Sequence, residues 1–264
     1  MPIQANVKSE FRESSVADFP FGGLQPQAAA PNFVGTDLEA SAARRSGRVR
    51  VDVIAKRILD ISVAALALLL LAPVFGLVAL LIKLDSSGPV FYRAARVGHR
   101  GRELRMLKFR KMKDRATGIP LTMSDDDRFT RIGARLAKFK LDELPQLWQV
   151  LTGEMSLVGP RPETEHFVAH HLAEYREILA VRPGVVGWSQ LAFAEESRIL
   201  DAEDPLGHYV TTILPQKVSL DMLYAGRRTL TLDLRIVFWS VLAVLLRRRV
   251  AVHRGDGRMN LRRR

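Results

Sequence analysis

Ile61 to Ile82 reads ISVAALALLLLAPVFGLVALLI, twenty-two residues without a charge. Length and composition mark it as a membrane segment. Pro73 lies just past its middle, where it deletes a helix hydrogen bond and kinks the axis. Both flanks are basic, with Arg44, Arg45, Arg48, Arg50, Lys56 and Arg57 before the run and Lys83, Arg93, Arg96, Arg100 and Arg102 after it. A spanning helix biases its cations to the cytoplasmic side. Two readings stay open on these residues: a kinked single span, and a helical hairpin that enters one leaflet, bends at Pro73 and returns. Asp60, near the entry side, is placed to pair with Lys56 or Arg57.

Around this run the 264 residues divide into four parts. Residues 1–50 read as a disordered leader, rich in Ala, Pro, Gly and Ser without apolar periodicity. Residues 51–84 carry the membrane helix, residues 85–246 a catalytic domain, and residues 247–264 a polybasic tail. The chain has no cysteine, which excludes disulfides and thiolate metal sites. A net charge of +12 points to nucleic acid, anionic lipid or phosphorylated substrates. The tail holds eight arginines against one aspartate, more than half of that charge. It follows the apolar stretch Leu230–Leu246, which Asp233 and Arg235 interrupt, so an interfacial helix fits better than a span. Cations beside such a helix suit an anionic leaflet rather than a nucleic-acid reading element, and no nucleic-acid partner is expected.

Past the membrane run, Ser86-Ser87-Gly88-Pro89 is a turn. Val90–Tyr92 opens a strand, and Gly98 and Gly101 suggest a hairpin returning through Leu104–Met112. On an extended segment Lys108 and Arg110 share a face, as a diphosphate would require; a solvated basic edge has the same pattern. Asp125-Asp126-Asp127 lacks the spacing of a calcium loop and reads as a solvated turn. His166 and His170 stand four apart without a third ligand and read as exposed helix histidines in a helix over 164–180. Trp188 is suited to base stacking, the lipid interface or packing.

Lys140-Leu141-Asp142-Glu143-Leu144-Pro145-Gln146-Leu147-Trp148 carries the chemistry. Pro145 belongs in a first helical turn, so a helix is expected to begin near Asp142, with Asp142 as its N-cap, and to end at Gly153. Two adjacent carboxylates among Arg128, Arg131, Arg135, Lys138, Lys140 and Arg161 suggest phosphate chemistry with a divalent metal. An ordinary capping pair on a solvated helix has the same local residues.

Several segments together resemble one family: Lys56-Arg57 with Asp60, Ser87-Gly88-Pro89, Arg96-Val97-Gly98, Lys108-Phe109-Arg110 with Met112, Leu141 to Leu147, Gly153 to Pro162, and Pro183-Gly184 through Gly187-Trp188. The chain resembles the bacterial sugar transferases, the small monotopic phosphoglycosyl transferases, over residues 53 to 235. The resemblance implies an α+β, mainly helical fold: a membrane-embedded re-entrant helix-break-helix hairpin, interfacial amphipathic helices and a small cytosolic catalytic domain at the cytoplasmic face of the inner membrane. It implies transfer of a sugar-1-phosphate from a UDP-sugar to undecaprenyl phosphate with release of UMP, as the first membrane step of exopolysaccharide or glycan assembly. Asp142 falls on the family's nucleophile, which forms a phosphosugar-aspartate, and Glu143 on its partner, a ligand of Mg²⁺. Lys108, Arg110 and Arg161 are the candidate phosphate or nucleotide contacts. Membrane lipid is a further partner, and a homodimer is compatible with the sequence. Ala95, Lys111, Phe139-Lys140, Ala72 and Ala225–Arg228 depart from the usual pattern, so a catalytically silent membrane scaffold is the competing expectation.

Overall fold

The computed structural model describes residues 39–261 apart from 120, 124, 125 and 247. The expected leader over residues 1–38, Asp125, and tail residues Arg247 and Arg262 to Arg264 lie outside the described residues. The fold is α+β and mainly helical. Its first helix, α1 (Glu39–Asp85), is far longer than any other. Its residues 39–50 belong to the stretch read as leader. The helix runs through Pro73 without interruption, so the expected break is not seen.

The inward residues of α1 explain how it docks. Asp60, Ala64, Leu68, Leu71, Phe75, Val78 and Ile82 recur at spacings of three and four, which places them on one helix face. Ala64 and Leu68 pack with Leu104, Met106 and Val150, while Phe75, Val78 and Ile82 pack with Phe109 and Leu136. The other face leaves Leu66, Leu69, Leu70, Leu77, Leu80 and Leu84 exposed. An apolar surface of that extent marks a membrane contact.

Polar locks fix the entry end. Asp60 accepts from Ser156 Oγ at 2.8 Å and from the Leu157 N–H at 3.1 Å, not from Lys56 or Arg57 as its spacing suggested. Lys56 instead reaches Asp233, at 2.6 Å, and Arg57 donates to the carbonyls of Val150 and Leu151. Burial decides this: Asp60 and Asp233 are both enclosed, and an enclosed charge needs a fixed partner more than a solvated neighbour one helical turn away. At the far end the Asp85 carboxylate accepts from the Ile132 N–H at 2.8 Å.

The chain then forms the expected hairpin, β1 (Phe91–Val97) antiparallel to β2 (Glu103–Phe109), with Tyr92 opposite Lys108. Thr130 caps α2 (Arg131–Lys138) by accepting from the Gly133 N–H at 2.9 Å. α3 (Gln146–Thr152) ends at Gly153, whose φ of 93° is the left-handed conformation that glycine tolerates. β3 (Ser156–Val158) lies parallel to β4 (Gly184–Val186). Between them the helix expected over 164–180 is broken into α4 (Glu165–Ala169) and α5 (Leu172–Ile178), the chain leaving helical geometry at His171. Short helices α6 (Trp188–Ala192), α7 (Glu196–Ile199) and α8 (Pro205–His208) lead to α9 (Leu214–Arg227) and α10 (Leu230–Leu246).

On α10, Asp233 and Ile236 face inward while Leu234, Phe238 and Val241 form an exposed apolar stripe. Part of the expected tail is folded: β5 (Val250–Val252) and β6 (Met259–Leu261) pair antiparallel. This hairpin packs on Trp188, so closely that a Cβ on Gly257 would sit 2.2 Å from its ring. Trp188 is therefore a core residue, edge-on to Tyr224.

Candidate active site

Asp142 and Glu143 sit in a 3₁₀ turn, Leu141–Glu143, between α2 and α3. This differs from the expected N-cap. Lys140 takes φ 57°, which turns the chain sharply out of α2, and Pro145 rather than Asp142 occupies the N-cap position of α3. Pro145 supplies no N–H, so the carbonyl of Leu141 is met instead by the Leu144 N–H in an i→i+3 bond. The turn aims the two carboxylates differently. Asp142 is 2% exposed, with Lys111 Nζ at 3.5 Å from Oδ2. Glu143 Oε1 accepts from Lys108 Nζ at 2.8 Å and from Arg161 Nη2 at 2.9 Å.

Each cation reaches this point by a separate backbone device. Lys108 is near the end of β2, and Gln149 of α3 clamps that strand. Its Oε1 accepts from the Leu107 N–H at 2.7 Å and its Nε2 donates to the Arg105 carbonyl at 3.1 Å. Arg161 follows β3, where the Gly159 N–H donates to Val186 and the Gly184 N–H to Pro160. Backbone meets backbone there: a Cβ on Gly184 would lie 2.0 Å from the Gly159 nitrogen. Lys111 is held from behind by α2, whose Gly133 presses on the Lys111 carbonyl with no room for a side chain.

Three cations thus surround two carboxylates. Burial pushes the Lys108 ammonium down to about 8, with Glu143 opposing the shift. Burial also works to raise Glu143, but Arg161 and Lys108 outweigh it and hold its carboxyl well below the usual range. Glu143 in turn raises Arg161. At neutral pH the cluster is a fixed anion flanked by positive charge, an environment suited to a diphosphate.

Of the five residues expected at the site, four are brought together: Asp142, Glu143, Lys108 and Arg161. Arg110 points elsewhere. Its guanidinium donates to the Ser86 carbonyl at 2.8 Å, to Ser86 Oγ at 3.0 Å and to the Ser87 carbonyl, and so binds the turn that leaves α1. His166 and His170 meet edge to face, and the described residues contain no group of three metal-ligating side chains. Asp126 joins Arg128 within its turn.

With this geometry in place, residues 51–247 match the family model described as bacterial sugar transferase. The chain belongs to the bacterial sugar transferase family. It is 36% identical over 200 residues to the UDP-glucose:undecaprenyl-phosphate glucose-1-phosphate transferase of Xanthomonas campestris pv. campestris, covering 73% of this chain and 39% of that one. It is 39% identical over 197 residues to the UDP-N-acetylgalactosamine-undecaprenyl-phosphate N-acetylgalactosaminephosphotransferase of Aeromonas hydrophila, covering 72% and 43%. The chain therefore spans about two fifths of the length of these two relatives. Against the exopolysaccharide production protein PSS of Rhizobium leguminosarum bv. phaseoli it is 37% identical over 210 residues, covering 75% of this chain and 98% of that one.

In this family member a second buried cluster backs the first. Lys217 Nζ donates to Glu163 Oε1 at 2.7 Å, to Glu196 at 3.1 Å and to the Tyr209 hydroxyl at 2.7 Å. Asp221, one helical turn from Lys217, is also buried, and burial pushes its carboxyl up to about 7. Glu163 is two residues from Arg161, so this cluster anchors the segment that carries it. Lys217 and Glu196 lie far from the motif runs, and nothing in their own neighbourhoods signals the pairing.

Proposed function

We propose that the protein transfers a sugar-1-phosphate from a UDP-sugar to undecaprenyl phosphate, with UMP as leaving group, at the cytoplasmic face of the inner membrane. The observation that carries this is the pairing of an enclosed Asp142 with a Glu143 already fixed by two cations, on a domain docked along an apolar helix. The named relatives, which act on UDP-sugars and undecaprenyl phosphate, support the same reading.

In the proposed mechanism Asp142 is the nucleophile. A carboxylate oxygen attacks the β-phosphorus of the donor, and the bond from that phosphorus to the α–β bridging oxygen breaks. UMP departs with the bridging oxygen, leaving a phosphosugar-aspartate. An oxygen of undecaprenyl phosphate then attacks the same phosphorus and frees the carboxylate. Lys111, 3.5 Å from Oδ2, keeps Asp142 beside positive charge, so that a second anion can approach it. Arg161 offers the planar fork suited to phosphate oxygens, and Lys108 a second positive charge beside it.

The donor set fits Mg²⁺. Two adjacent carboxylates, with no third metal-ligating side chain grouped with them among the described residues, match a cation held chiefly through substrate phosphates. Both cationic contacts of Glu143 fall on Oε1, so Glu143 would hold the ion through Oε2. Bound there, Mg²⁺ would supply charge neutralisation for the diphosphate.

The membrane topology belongs to the same proposal. Asp60 and Asp85 are both bonded to the catalytic domain, and residues between them pack on it. A crossing helix would carry the charged hairpin β1–β2 into hydrocarbon, so α1 enters and leaves the membrane from one side.

The test is UMP release across a panel of UDP-sugars, with Mg²⁺ and the lipid acceptor present. Asp142→Asn is expected to lower turnover by about 10⁴-fold or more, and the wild type, given donor alone, to retain labelled sugar phosphate on Asp142. Full turnover in Asp142→Asn would overturn the assignment.

A further inference from the structure

Lys111 is fixed at its backbone and loose at its tip. Its carbonyl accepts from the Thr130 N–H at 3.1 Å, and the next residue, Met112, bridges to Phe129. The ammonium stands 3.5 Å from Asp142 Oδ2, longer than a hydrogen bond, and 5.7 Å from the centre of the Phe129 ring, on a partly exposed side chain. Lys108 and Arg161 are each bonded to Glu143, at 2.8 and 2.9 Å. Of the three cations, Lys111 is the one free to change partner.

Charge gives this freedom a use. Lys108, Lys111 and Arg161 against Asp142 and Glu143, three cations against two anions, leave the contacting side chains at +1. A divalent cation arriving alone is repelled by that excess, and Lys111 is the charge standing at the nucleophile. The diphosphate of a nucleotide sugar brings two negative charges, which reverse the sign. The ammonium then has a phosphate oxygen to turn to, and Asp142 is released for attack. We propose that Lys111 makes the metal enter with the donor rather than ahead of it: the ammonium screens Asp142 in the free enzyme and passes to a phosphate oxygen once the donor is bound. This role for Lys111 deepens the function proposed above and rests on it, because it requires a Mg²⁺ site beside Asp142 and Glu143. It gives the side chain two opposite effects. Against the metal alone Lys111 is a competitor; for metal and diphosphate together it is a binding group. A residue that merely supported the fold would act on both in the same direction.

The full chain in phosphatidylcholine nanodiscs at pH 7 is titrated with Mn²⁺, the free ion being counted by its electron paramagnetic resonance. Lys111→Met is expected to bind Mn²⁺ at least ~10-fold more tightly than wild type, the effect of removing one unit charge about 6 Å from a dication even at the dielectric constant of water. Lys111→Arg keeps the charge and is expected to match wild type. UDP, which carries a diphosphate and no sugar to transfer, is then titrated by calorimetry at saturating Mg²⁺. Here Lys111→Met is expected to bind ~10-fold more weakly, through loss of one charge-assisted contact. Lys111→Gln repeats both titrations, so that a folding defect peculiar to Met does not decide the outcome. No gain in Mn²⁺ affinity in the neutral variants, or changes of the same sign in the two titrations, overturns the inference, while metal-dependent UDP binding by the wild type leaves the donor site standing. If UDP binds none of these proteins with metal present, the proposed function fails at this site and the role of Lys111 fails with it.

Discussion

Arg110 and Lys108 are two residues apart on one basic segment, yet their environments give them different tasks. Lys108 ends on Glu143, whereas Arg110 is nearly enclosed and ends on the Ser86 and Ser87 carbonyls. Arg110→Gln is expected to lower the melting temperature through loss of two or three buried hydrogen bonds, at about 1–2 kcal/mol each, while kcat/KM per folded molecule changes less than threefold. A large rise in KM without a loss of stability would instead put Arg110 on the substrate. Asp221 gives a pH signature. Its folded carboxyl titrates near 7, above the ordinary value, so the folded state holds a proton that the unfolded chain releases. That contribution to stability is complete below about pH 4 and is lost as pH rises to about 7. Asp221→Asn cannot titrate and is expected to flatten this part of a melting-temperature profile; an unchanged slope would assign the pH dependence to other groups. The two adjacent carboxylates were legible because their motif is continuous. The roles of Arg110 and Asp221 were not, since they depend on which carbonyls and hydroxyls distant segments bring near.

Among the elements, the parallel joint of β3 and β4 tolerates little change. Gly159 and Gly184 approach until no Cβ fits, and this contact sets the direction of the Gly159-Pro160-Arg161 loop. Gly184→Ala is expected to cost about 2–3 kcal/mol, because the clash is with backbone and no rotamer relieves it. It should also lower activity more than stability alone explains, since Arg161 moves with the loop. Activity per folded molecule within twofold of wild type would show that the loop repositions freely. The glycines were readable as turn signals, but their pairing was not, because a parallel contact between segments 25 residues apart leaves no local pattern. The β1–β2 hairpin and α10 were legible for the opposite reason: their alternation, turn glycines and apolar run are local. The helix expected at Asp142 failed in its register, because a single left-handed residue, Lys140, resets the chain just before the carboxylates.

At the scale of the molecule, the decisive relation is between the length of α1 and the positions of its anchors. From Val53 to Asp85 the helix has 33 residues, about 50 Å if straight, more than the ~30 Å of a hydrocarbon core. A helix that long could cross, and composition alone admits it. The anchors oppose this: Lys56, Arg57 and Asp60 at one end and Asp85 at the other are bonded to one and the same domain. Crossing would require breaking one set, leaving either an enclosed Asp60–Ser156 contact or the start of α2 without partners. Single cysteines at Val53 and at Ser87, just past the end of α1, both exposed, test this directly. In intact spheroplasts a membrane-impermeant maleimide is expected to label neither, and after lysis to label both. Labelling of one position before lysis and the other only after it would mean that α1 spans. The domain would then have to release one end of the helix, and the melting temperature of Asp60→Asn would match the wild type rather than fall.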